Sequence, residues 1–216
     1  MGSKASAGEL VLGLLAAAVA FGFAFRGRWP GFWARMAIAT GSLGLFRLAR
    51  QQPHISPPVP LDIAWGLLSA AMLYGIFQIG DRLIRRWMPR GEMEIRAIYR
   101  LREEAPPPVI AGLLAAVIAP AEELFWRGFV VDALAERYPP VWAAVLGATL
   151  YAGVHAVTAN GILIGAAGMA GLFWSIQYLL QRRLAPVIIS HIVWDLWIFL
   201  IAPTPSGQEP STSSRH

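Results

Sequence analysis

The sequence contains no cysteine and little charge. With no thiol there is no disulfide framework, no thiolate nucleophile and no cysteine-ligated zinc site, and the redox compartment is left open. Charged residues make up 14% of the 216 positions, against roughly a quarter in a soluble domain, so an ordinary soluble fold is excluded. Lysine is almost missing: Lys4 stands against 17 arginines. Those arginines lie between apolar runs, which suits loops beside anionic lipid headgroups, and no motif for reading nucleic acid accompanies them. What the chain has instead is apolar surface, 56% of its residues, with 9 Trp, 21 Gly and 16 Pro.

About 20 apolar residues cross a ~30 Å hydrocarbon layer at 1.5 Å per residue, and windows of that kind predict membrane spans near 8–25, 31–48, 60–80, 107–127, 139–157, 160–180 and 184–202. The expected fold is therefore all-α, a polytopic transmembrane helix bundle of about seven spans set in the lipid bilayer. The second window is interrupted by Arg35 and flanked by Arg47. Arg26 and Arg28, directly after the first window, favour a retained anchor over a cleaved signal peptide. Pro57, Pro58 and Pro60, Pro106 to Pro108, Pro139 and Pro140, and Pro203 and Pro205 read as helix boundaries.

Three regions follow: N-terminal membrane helices with a basic interfacial segment over 1–106, a helical core over 107–202, and a polar tail over 203–216 expected to be disordered. Residues 81–105 mix seven Arg with five acidic residues among Ile, Leu, Trp and Tyr, as an amphipathic segment at the interface does. Ten arginines follow the first and third spans, against Lys4 and five arginines on the opposite side, which puts the first set in the cytoplasm and the N-terminus outside. Gly161, Gly165, Gly168 and Gly171 predict close helix packing in lipid.

Ionisable groups at membrane depth cost at least ~2.5 kcal/mol each on insertion scales, so they face partners or a wet cavity and are functional candidates. In the run 121–128, AEELFWRG, Glu123 and Arg127 are four apart and can pair along one face, leaving Glu122 as the unpaired carboxylate. Pro120 removes a helix hydrogen bond and leaves a kink and a free carbonyl beside the acidic pair. A carboxylate held in so poorly solvating a place suits a general base. The alternative is that the helix leaves the membrane by residue 122, making the glutamates an interfacial charge cluster. Tyr151 and His155 share a helical face, so the phenol can orient the imidazole, unless His155 is an interfacial structural histidine. His191 and Asp195 have the same spacing, and an Asp so placed fixes a histidine's tautomer and orientation. Separate helices satisfy such groups by pointing them into one shared cavity, which also admits the water that hydrolysis needs.

Taken in order, these residues resemble the CPBP intramembrane proteases, which include the CAAX prenyl-protein endopeptidases and bacteriocin-processing or immunity proteins. The family's EExxxR looks like Glu122, Glu123 and Arg127, its FxxxH resembles Tyr151 to His155, and its HxxxN corresponds to His191 to Asp195, over roughly residues 107–202. The resemblance implies a glutamic-type intramembrane endopeptidase with a wet or conical cavity. It would work without cofactor or resident metal on a membrane-anchored protein or peptide, in a bacterial inner membrane. It makes Glu122 the base that activates water, with His155 positioning that water, Glu123 and Arg127 supporting the site, and His191 with residue 195 stabilising the oxyanion. Asp195 stands where the family commonly has Asn. It donates a hydrogen bond only when protonated; otherwise it orients His191. Tyr151 in place of Phe adds a hydroxyl that needs a partner if buried. The run EELFWRG, with Trp126, is also similar to branches linked to processing of C-terminal sorting tails on secreted bacterial proteins, whereas prenyl recognition belongs to a different branch.

Two other readings stand beside this one. Two histidines and a glutamate are a catalytic zinc ligand set, although HExxH is absent. A non-enzymatic immunity or scaffold protein would keep the same polar cluster. No internal repeat supports a transporter. Straight spans set His155 near one membrane face and His191 about 10 Å inside the other. A shared site therefore requires tilt, a kink near Pro120, or a short or re-entrant span.

Overall fold

Each helix starts where the sequence supplies a cap, a glycine or a proline. The computed structural model describes residues 5–29, 31–50 and 57–204, and every regular element among them is helical. Helix α1 (Ala7–Arg26) opens on a capping box in which Ser6 Oγ accepts the Glu9 N–H and the Glu9 carboxylate accepts the Ser6 N–H. Helix α2 (Phe32–Arg50) follows Gly31, whose φ of 141° is rarely open to an L side chain. Helices α3 (Pro60–Trp87), α4 (Pro89–Tyr99), α5 (Pro107–Ala135) and α6 (Pro140–His155) begin on proline, which has no N–H to leave unbonded. Helix α7 (Gly161–Gln181) is capped by Asn160 Oδ1, which accepts the Leu163 N–H at 2.8 Å, and α8 (Ala185–Ile201) closes the bundle.

All seven expected windows are helices, but they are not equivalent. Five of them, α1, α3, α5, α6 with its following turn, and α7, are long and apolar enough to cross a membrane. Helix α8, with its 17 residues, spans only about 25 Å. The arginines of α2 turn inward: Arg35 Nε donates to the Ala24 carbonyl at 3.0 Å and Arg47 Nε to the Gly128 carbonyl at 2.8 Å. Backbone oxygens of neighbouring helices thus satisfy the charges that interrupt this window.

Helix α5 is irregular where the chemistry concentrates. Its turns widen over Leu114–Ile118, where the Ala119 N–H reaches five residues back to the Leu114 carbonyl, just ahead of Pro120. They widen again over Trp126–Val131, where the Asp132 N–H donates to the Arg127 and Phe129 carbonyls and the Gly128 carbonyl receives Arg47. The first of these wide turns is the local answer to a proline inside a long helix.

One hydrophobic core runs through both halves of the chain, joining Phe21, Trp33 and Leu43 to Phe125, Trp126 and Phe129. The segment over 81–105 is tied to the protein: Asn160 Nδ2 donates to the Glu94 carbonyl at 3.0 Å and the Glu94 carboxylate accepts the Ile162 N–H at 2.9 Å. The expected tail lies outside the described residues beyond Thr204, whose N–H donates to the Tyr99 hydroxyl at 3.3 Å.

The glycine expectation needs correction. Gly165 meets nothing within 4 Å, and only Gly168 and Gly171 face α6. Tighter helix approaches lie elsewhere. A β-carbon at Gly44 would sit 2.9 Å from that of Ala121 on α5, and one at Gly66 would sit 2.5 Å from Ile189 on α8.

Candidate active site

Consecutive residues leave an α-helix about 100° apart, so Glu122 and Glu123 address different neighbours. Glu122 Oε2 accepts the Tyr151 hydroxyl of α6 at 2.5 Å. Glu123 Oε1 accepts Arg127 Nη1 at 2.8 Å and lies 2.7 Å from His191 Nδ1 of α8. Both carboxylates are buried, 2% and 0% exposed, in a helix that continues to Ala135. The two glutamates are therefore not an exposed charge cluster, and Glu122, which has no ion-pair partner among the described residues, is held by a phenol instead. The expected Glu123–Arg127 pair is present.

His155 is oriented differently from expectation. Its Nδ1 meets the Tyr151 carbonyl at 2.8 Å, while the phenol it was expected to use is given to Glu122. A carbonyl only accepts, so the ring proton is assigned to Nδ1 and Nε2 is left as an acceptor. The imidazole is boxed by Tyr151 and Phe21, with ring centres 4.8 and 4.9 Å away.

His191 sits between two carboxylates, Nδ1 at Glu123 and Nε2 3.4 Å from Asp195 Oδ2. Arg127 extends the network inward: Nη2 donates to the Gly171 carbonyl at 3.2 Å, and its guanidinium carbon lies 5.2 Å from the Tyr151 ring centre and 5.3 Å from that of Trp174.

Glu122, His155, His191 and Asp195 all line one cavity of about 660 Å³, together with Tyr151 and Trp174. Glu123 and Arg127 lie behind its wall. The remaining lining is mostly apolar and comes from both halves of the chain, including Trp33 of α2, Phe77 of α3, Tyr99 of α4 and Ile198 of α8. The separation of His155 and His191 is bridged from α5: Glu122 reaches toward α6 and Glu123 toward α8, so the two histidines share a cavity with no hydrogen bond or ring contact between them. Among the described residues, no group of three or more His, Asp or Glu is placed to hold a metal ion.

Sequence reasoning passed over the Gly171 carbonyl, which has no side-chain signature, and Trp174. Gly171, Trp174 and Tyr178 recur at three- and four-residue spacing on α7, a stripe legible as a packing face but silent about what it packs on. It also passed over the contribution of α2, α3 and α4 to the cavity.

Residues 105–197 match the family model described as Rce1-like, type II CAAX prenyl endopeptidase Rce1-like. No curated protein and no solved structure matches the chain.

Proposed function

Because this chain belongs to the CPBP/CAAX protease family through residues 105–197, we propose that it is an intramembrane endopeptidase that cuts a membrane-anchored protein with glutamate-activated water. The observation that carries this reading is Glu122: a buried carboxylate on the wall of an apolar cavity, held by the Tyr151 hydroxyl and facing the same space as His155 and His191.

In the proposed reaction a water molecule lies between Glu122 and the acceptor Nε2 of His155. Glu122 takes one proton from that water, and the oxygen attacks the peptide carbonyl carbon. The oxyanion that forms faces His191 Nε2, whose other nitrogen is fixed on Glu123. As the tetrahedral intermediate collapses, the C–N bond breaks and the proton held by Glu122 passes to the leaving amine. Asp195, 3.4 Å from His191 Nε2, sets the direction in which that nitrogen points. Arg127 holds Glu123 in place through a charge-assisted hydrogen bond at 2.8 Å.

The apolar lining suits a substrate that presents a lipid-embedded anchor beside the bond to be cut, in the manner of C-terminal or sorting-tail processing in a bacterial inner membrane. The test is incubation of the purified protein in vesicles with membrane-anchored peptides carrying candidate tails, followed by mass spectrometry with and without chelator. Cleavage at one internal bond, indifferent to chelator, is the expected result. Intact peptides throughout the panel would argue for a binding or immunity role.

A further inference from the structure

We propose that Trp174 is a positioning residue of this site, fixing the plane of the His191 imidazole and so aiming Nε2 into the cavity. The proposal rests on the hydrolase reading for its kinetic consequence, but its geometric content stands apart from it.

The χ2 torsion of a histidine is soft, and its ring settles broadly about two orientations unless something holds it. Glu123 anchors His191 at one atom, Nδ1, at 2.7 Å. That bond, with the looser contact of Nε2 to Asp195 at 3.4 Å, holds the ring by its edge and leaves its plane free to tilt. The second constraint is Trp174, whose indole stacks on the imidazole with ring centres 3.9 Å apart and planes 25° from parallel.

The indole is itself pinned. It is 1% exposed, and its Nε1–H donates to Ser190 Oγ at 3.1 Å. Ser190 is fully buried and adjoins His191 in α8, so Trp174 grips that helix at two consecutive residues. Trp194 meets it edge-on at 5.6 Å, and the Arg127 guanidinium lies 5.3 Å from its centre. The same arginine holds Glu123. The two constraints on His191, a bond at Nδ1 and a face against Trp174, therefore meet at Arg127, and a shift in either turns Nε2 away from the cavity and Asp195.

A core tryptophan that merely fills space predicts a different pattern of variants. Trp174→Phe keeps a flat ring and loses only the N–H. Trp174→Leu keeps apolar bulk and loses the plane. Ser190→Ala keeps the indole and frees its edge. For a positioning residue, Trp174→Leu lowers kcat about tenfold or more with KM held, because small misplacements of reacting groups are costly. Trp174→Phe recovers most of that loss, and Ser190→Ala lies between the two.

The independent readout is the NMR spectrum of protein carrying ¹⁵N-labelled histidine in micelles, with the His191 signals assigned by their loss in His191→Asn. Stacking on an indole shifts the imidazole protons upfield. Trp174→Leu should abolish that shift for His191 and leave His155 unmoved. His191 signals that keep their wild-type upfield positions in Trp174→Leu overturn the proposal even if the chain cleaves nothing, and so does a normal kcat in Trp174→Leu once the stacking shift is gone. If Trp174→Leu fails to fold, Ser190→Ala decides: a fall in kcat at constant KM supports the proposal, and a wild-type kcat overturns it. Failure of wild-type protein to cleave any peptide counts against the hydrolase reading alone.

Discussion

Tyr151 gives its hydroxyl to Glu122 across 2.5 Å, so the carboxylate assigned to water is held from α6, and the arginine one turn further along its own helix serves Glu123 instead. One oxygen of Glu122 is thereby engaged by a donor on a packed ring, whose centre is 5.1 Å from that of Trp126. The base thus takes its orientation from a neutral donor.

Tyr151→Phe removes that donor and leaves the ring contacts in place. A hydrogen bond to a charged group is worth about 1.5–3 kcal/mol, so kcat should fall by roughly one to two orders of magnitude. Circular dichroism should show an unchanged helical fold. An unaltered kcat would mean that the hydroxyl has no part in holding the base.

Breaking the pair behind the cavity should act on stability first. Arg127 and Glu123 are 1% and 0% exposed, and removing one partner of such a buried pair costs about 3–5 kcal/mol. Glu123→Gln and Arg127→Lys should each lower the unfolding temperature in detergent by on the order of 10 °C. Lysine fails as a substitute because it cannot bond Glu123 and the Gly171 carbonyl with one planar fork. Thermal unfolding followed by tryptophan fluorescence checks both.

Gly44 lets α2 lie against α5 beside the glutamates. Gly44→Val would force a β-carbon to within 2.9 Å of that of Ala121 and 3.2 Å of its α-carbon, next to Glu122. Overpacking of this kind costs about 1–3 kcal/mol, so both stability and kcat should drop. Gly41→Val is the control, since its β-carbon meets only Val117 at 3.5 Å. Equal behaviour of the two variants would remove any special role for the approach at Gly44.

Chelation should leave the reaction rate unchanged if the side chains around Glu122 activate water unaided. A rate abolished by phenanthroline and restored by added zinc would transfer the water to a metal and make Glu122 or the histidines its ligands.

Local features were the legible ones. Prolines marked the helix boundaries, and four-residue spacing gave the Glu123–Arg127 pair and the meeting of His191 with Asp195, because such neighbours share a face whatever the tertiary fold. Long-range partners were not legible. The Tyr151–Glu122 and Glu123–His191 contacts join residues 29 and 68 positions apart, and helix docking sets them. Arg35 and Arg47 show the same limit. Counted along the chain they look like loop charges, yet the fold buries both against backbone carbonyls, Arg47 at one in the widened turn of α5. Such a turn has no sequence signal beyond the nearby Pro120.

The most direct measurement is cleavage of a membrane-anchored peptide in H₂¹⁸O by wild-type protein and by Glu122→Gln, read by mass spectrometry. The wild type should place one ¹⁸O in the newly formed carboxyl group, and the variant, folded and with Tyr151 still in contact range, should be slower by about 10²-fold or more. Labelled product formed at an undiminished rate by Glu122→Gln would contradict the assignment of that glutamate as the base.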